Sequence, residues 1–91
     1  MYKEYLKVPQ APEYTARILT YEIGDINKCM IYKDRFGKGY DNELRIAFAD
    51  SLTMLYLLGE QLGLDMSSVR DDGRERFIER QKECEEAAKK S

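Results

Sequence analysis

ELRIAFADSLTMLYLLGEQL, from Glu43 to Leu62, decides the architecture. At about 100° per residue, Leu44, Phe48, Leu52, Leu55, Tyr56, Leu58 and Leu62 cover most of a helix circumference. Ile46, Met54 and Leu57 share the remaining stripe with Glu43, Ala47 and Asp50, which stack at intervals of four and three. A helix apolar nearly all round must be surrounded. With 91 residues the chain has room for a single domain that buries a smaller share of its surface than an average domain does. Two other helices, one of them rich in charge after Arg70, cannot wrap this one alone. The pattern therefore predicts a homo-oligomer with 43–62 at its centre, a two-fold dimer building a four-helix bundle from two helix pairs.

Outward from this stretch the chain reads as all-helical, with three main helices. Residues 1–11 form an arm with at most one helical turn, ending where Val8-Pro9 and Ala11-Pro12 discourage helix in the preceding residues. Pro12 and Glu13 suit a first helical turn, and the first helix is expected over 12–36. The loop Phe36-Gly37-Lys38-Gly39-Tyr40-Asp41 follows, with Asp41 or Asn42 capping the second helix at 43–62. Gly63 is placed as a left-handed stop and Asp65 as the N-cap of a third helix, 66–89, which Gly73 could break. Pairs four apart, Asp72 with Arg76, Lys82 with Glu86 and Glu86 with Lys90, give that helix modest support.

Four acids stand out. On the first helix, Tyr14, Ile18, Tyr21, Cys29, Tyr32 and Phe36 form one stripe that contains Glu22 and Asp25; Leu19, Ile23, Ile26 and Met30 form a second beside it. Glu43 and Asp50 sit on the apolar stripe of the second helix. Carboxylates are costly to bury without compensation, so their position calls for a cation. A metal site is therefore the first functional expectation. The chain has no His, which removes the commonest general base, the usual zinc ligand and any Ser-His or Cys-His pair.

Composition excludes other classes. Fifteen Lys and Arg against seventeen Asp and Glu give a formal charge of −2 without a basic block, so duplex nucleic acid is not an expected partner. No apolar run approaches the roughly 20 residues that span a bilayer, and the start of the chain lacks the apolar core of a signal peptide. A cytoplasmic protein that does not engage membranes is expected. Cys29 and Cys84 read as reduced, buried thiols rather than a disulfide framework.

Tyr21-Glu22-Ile23-Gly24-Asp25-Ile26, a loop, and then the run from Ala47-Phe48-Ala49-Asp50 to Leu62-Gly63-Leu64-Asp65 resemble the MazG-like all-alpha nucleotide pyrophosphohydrolases. The resemblance covers roughly residues 16–69. It implies a dimer or tetramer of helical bundles, carboxylate-held Mg²⁺ (or Mn²⁺), and hydrolysis of nucleoside triphosphates to monophosphate and pyrophosphate. By that resemblance Glu22, Asp25 and Asp50 are both metal-holding and catalytic. The first acid of the second pair falls on Ala47; Glu43, one turn earlier, becomes the further ligand, its Cβ about 5–6 Å from that of Ala47. One of Glu22 or Glu43 is left to orient or deprotonate the attacking water. Arg70-Asp71-Asp72-Gly73-Arg74 departs from the basic and Asn positions of the family's last helix.

A second class stands beside this one: a non-catalytic helical homo-oligomer, either a degenerate relative binding metal or nucleotide without turnover or an adaptor using its charged last helix. Ala47 favours it. A relative of phosphoribosyl-ATP pyrophosphohydrolases is a third option. Read as ordinary structure, Glu22 and Asp25 are a solvated pair, Asp50 pairs with Lys28 or Lys33, and Glu43 is a first-turn acid favoured by the helix dipole. Tyr14, Tyr21 and Tyr32 are then packing groups, and Lys28, Lys33, Arg35 and Lys38 a solvated edge rather than phosphate ligands.

Overall fold

A computed structural model describes residues 1–37 and 40–90; Lys38 and Gly39 of the expected loop lie outside the described residues. A 3-10 turn at Lys3–Tyr5 is followed by α1 (Pro12–Phe36), α2 (Asp41–Gln61) and α3 (Met66–Lys90), with no strand among the described residues. Each boundary has a local cause. Ala11 is extended, with φ −73° and ψ 148°, and Pro12 opens α1, where its missing N–H is no loss. Gly37 ends α1 at φ 84°, donating its N–H to the Lys33 carbonyl at 2.9 Å. Gly63 stops α2 at φ 78°, while the Leu64 N–H returns to the Gly59 carbonyl at 2.9 Å. Asp65 caps α3, accepting from the Ser67 N–H at 3.2 Å and the Ser67 hydroxyl at 2.8 Å. The Ser67 hydroxyl and amide hold the Asp65 carboxyl below its ordinary value.

Two expectations at helix ends are corrected. Asp41 and Asn42 do not cap α2, which begins at Asp41 with Tyr40 as its N-cap and no side-chain cap bond. The Asp41 carboxylate is drawn instead to the Lys33 ammonium at the end of α1. Gly73 does not break α3, which runs through it unbroken to Lys90; one glycine costs a helix only about 1 kcal/mol. Along α3 the ion pair four apart joins Glu85 to Lys89 at 3.5 Å.

α1 and α2 form an antiparallel hairpin, tied at one end by Lys33 with Asp41 and by the Tyr32–Tyr40 ring pair, and at the other by Gln61 Nε2 donating to the Gln10 carbonyl at 2.8 Å. The inner stripe of α1 is Thr15, Ile18, Leu19, Glu22, Asp25, Ile26, Cys29 and Tyr32, every one buried or half-buried. It meets Leu44, Ala47, Ser51, Met54 and Leu58 of α2. Tyr14 and Tyr21, expected as packing groups, are exposed, as are Ile23 and Met30 of the second stripe.

α3 leaves this hairpin almost at once. Met66 lies over Gly59, where the absence of a Cβ admits its sulfur, and beyond it every residue of α3 is exposed. Neither cysteine is the buried thiol expected: both are free, Cys29 half-buried and Cys84 exposed on an exposed stretch of α3. The apolar side chains with under a tenth of their surface exposed are Ala47 and Leu57 alone among the described residues. Phe48, Leu52, Leu55 and Leu62 of α2 stay open. The radius of gyration is 17.2 Å, against about 12 Å for a compact chain of this length. No helix among the described residues is long and apolar enough to cross a membrane.

The arm is fastened across the end of α2. The Met1 ammonium and the Tyr2 N–H both donate to the Glu60 carboxylate, the latter at 2.9–3.0 Å, and the Tyr2 ring meets Tyr56 edge-on at 6.3 Å. The bond from the terminal ammonium, with that from Tyr2, holds the Glu60 carboxyl below its ordinary value. A depressed carboxyl contributes stability above its unfolded value of 4.5 and loses it as pH falls through the folded one. Glu60→Gln is expected to release the arm, raising amide exchange at Tyr2 to Leu6 and shrinking the loss of stability below pH 4.5; unchanged exchange would contradict the latch.

Candidate functional site

The hairpin's antiparallel sense decides which acids can meet. Asp25 on α1 runs against Asp50 on α2, and Tyr32, two turns on, runs against Tyr40 and Glu43. Together with Lys28, Cys29, Ile46 and Ala47 they line an open groove of about 350 Å³ between the helices. Glu22 lies one turn beyond Asp25 on the same half-buried stripe.

Glu22, Asp25 and Asp50 are brought into mutual electrostatic range. Burial pushes the Glu22 carboxyl above its ordinary value of 4.5, the charges of Asp50 and then Asp25 push it further, and a hydrogen bond with the Asp50 side chain favours its protonated form. Glu22 and Asp25 are half-buried, whereas Asp50 and Glu43 are exposed at the rim, since α1 covers only one side of α2. Glu43 lines the same groove a turn before Ala47, and nothing couples it to Glu22. Ala47 is 5% exposed, its methyl packed between the helices, so that position offers no oxygen. The pairing that would make Asp50 ordinary is absent among the described residues: Lys33 goes to Asp41, and the Lys28 ammonium sits 5.6 Å from the Tyr32 ring centroid. Arg35 is exposed past the groove, and Lys38 lies outside the described residues.

Among the described residues no group of three acidic or cysteine side chains is drawn together tightly enough to enclose an ion. A donor set of carboxylates, in a chain without imidazole, has the chemistry that a hard cation takes.

Reasoning from sequence missed one residue here. Tyr40, read as a loop residue, lies within 5.5 Å of the Tyr32 ring centroid and closes one end of the groove. The ring of Phe36, placed by the sequence on the Tyr32 stripe, lies 5.9 Å from Tyr32.

The raised Glu22 carboxyl gives a pH signature. The folded chain holds this proton more tightly than the unfolded chain, which releases it near 4.5, so stability falls as pH rises from there through the raised folded value. In metal-free buffer Glu22→Gln is expected to melt higher than the parent at pH 7 and to match it near pH 4. A difference that stays constant across that range would contradict the coupling. No family model matches the chain, and no curated protein or solved structure matches it.

Proposed function

We propose that the groove hydrolyses a nucleoside triphosphate to monophosphate and pyrophosphate, using a divalent cation held by Glu22, Asp25 and Asp50. The observation that carries this reading is the placement of Asp25 and Asp50 on one groove, with Glu22 a turn away and raised by the charges of both, and neither Glu22 nor Asp50 paired to a lysine among the described residues. The resemblance of residues 21–26 and 47–65 to MazG-like pyrophosphohydrolases supports it from the sequence. Mg²⁺ or Mn²⁺ would supply neutralisation of phosphate charge and a more acidic bound water. What the chain supplies is the rest. Glu22 and Asp25, a turn apart on one rigid helix, and Asp50 on its partner hold three negative charges in fixed relation. Glu22, with its elevated proton affinity, is suited to take a proton from an attacking water; Glu43, on the same groove, is the other group able to do so. Lys28 brings a positive charge to the same wall.

Assembly belongs to the same proposal. The chain exposes 7636 Å², whereas a compact monomer of 10.7 kDa exposes about 5,500 Å². The difference is roughly 2,100 Å² per chain, or about 4,200 Å² for two chains, which falls within the total area that permanent homodimers bury. A second copy covering Phe48, Leu52 and Leu55 places α2 at the centre of a four-helix bundle.

One observation favours the other reading. Ala47 sits buried where the resemblance expects an acid, which suits a homo-oligomer that binds metal or nucleotide without turnover. Pyrophosphate release separates the two, measured over ordinary and modified ribo- and deoxyribonucleoside triphosphates and phosphoribosyl-ATP, with Mg²⁺ or Mn²⁺. Turnover supports the hydrolase; silence with every substrate, joined to no heat of metal binding, supports the non-catalytic homo-oligomer.

A further inference from the structure

The groove changes character along its length. At one end stand Asp25 and Asp50; at the other stand Tyr32 and Tyr40, whose ring centroids lie 5.5 Å apart at an interplanar angle of 64°. The rings meet edge to face, and both side chains are only half-buried, so ring surface remains accessible in the groove. Seven helical residues separate Asp25 from Tyr32, which is about 10 Å along the axis. Lys28 lies between them, one turn from each, with its ammonium 5.6 Å from the Tyr32 centroid. Ile46 and the Ala47 methyl add apolar wall on the α2 side.

We infer that Tyr32 and Tyr40 form the subsite that stacks the nucleobase, with Lys28 meeting the phosphate next to the sugar and the phosphate chain directed toward Glu22, Asp25 and Asp50. This rests on the nucleotide reading above and adds to it the residues that choose the base. A flat heterocycle joined through a sugar to an anionic chain has the polarity of the groove, apolar and aromatic at one end, cation-seeking at the other, with a positive charge between. Stacking on tyrosine tolerates any base, because every base has a π-face. Preference therefore falls to the shape of the Tyr32, Tyr40 and Ile46 walls rather than to a set of hydrogen bonds.

The test uses the full chain in metal-free buffer with chelator, so that nothing depends on the acids or on turnover. Adenosine and cytidine monophosphate, ribose 5-phosphate and inorganic phosphate are titrated while the tyrosine ring resonances are followed by NMR. The monophosphates are expected to bind at least about ten-fold more tightly than ribose 5-phosphate, with ring-current shifts at Tyr32 and Tyr40. Tyr32→Leu and Tyr40→Leu should erase that margin, while Tyr32→Phe and Tyr40→Phe, which keep the ring and guard against a folding artefact, should preserve it. Lys28→Gln should weaken all four phosphates alike. Equal binding of monophosphates and ribose 5-phosphate, or leucine variants that bind as the parent does, would overturn the subsite. Should the base margin persist while pyrophosphate release is absent with every triphosphate, the subsite stands and the hydrolase reading falls; turnover with leucine variants of unaltered KM gives the reverse.

Discussion

Asp50→Asn is expected to lower pyrophosphate release by on the order of 100-fold or more, with circular dichroism unchanged. The reasoning starts from position. Asp50 is exposed, with no role in the packing of α1 on α2, so its conversion to an isosteric amide leaves the hairpin intact. It is also the acid whose charge most strongly opposes ionisation of Glu22, and the acid of α2 that does so across the hairpin. Removing its charge therefore does two opposite things. Without divalent cation, Asp50→Asn relieves repulsion and should melt at or above the parent temperature at pH 7. With magnesium at a hundred times its dissociation constant, the parent should gain on the order of 10 °C, which the variant should not. A parent melting temperature indifferent to both Mg²⁺ and Mn²⁺ would remove the metal, and with it the hydrolase, from consideration.

How far the chain could be read beforehand follows from which forces are local. Pro12, Gly63 and Asp65 act within a turn of themselves, so the edges they set were visible in composition alone. The start of α2 was not, because Asp41 has two competing uses: capping its own helix, or meeting Lys33 on another. Sequence cannot weigh a bond across eight residues that a loop must first fold back. Glu22 and Asp25 were legible as acids on the inward stripe of α1, since 3.6-residue periodicity fixes a face whatever the partner. Asp50 was legible as to stripe but not as to depth: it is exposed because one neighbouring helix shields only one side of α2. The direction of α3 was illegible. Its apolar groups, Val69, Phe77 and Ile78, are too few to dictate where it lies, and they remain uncovered. Tyr40 was missed for a related reason, since a residue between helices has no periodicity to give it a face.

Leu55→Glu is expected to abolish assembly and lower both helicity and melting temperature, and its value as a test comes from where the residue lies in one chain. Leu55 is 46% exposed. In a protein that works as a single chain, a charge at such a position would change stability by no more than about 0.5 kcal/mol. Within a symmetric interface the same carboxylate is buried twice, once from each copy and near the axis, with no partner to compensate it; desolvation then costs several kcal/mol. Light scattering coupled to size exclusion should give the parent as a dimer or tetramer at micromolar concentration and the variant as a monomer whose far-ultraviolet signal has fallen. Loss of helix is part of the expectation, because among the described residues α2 has α1, the arm and the start of α3 to lie against once the second copy is gone. Concentration dependence supplies the control: the parent's melting temperature should rise with protein concentration and the variant's should not. A parent that is monomeric and fully helical, or a Leu55→Glu chain that assembles and melts as the parent does, would place something other than a second copy over Phe48, Leu52 and Leu55.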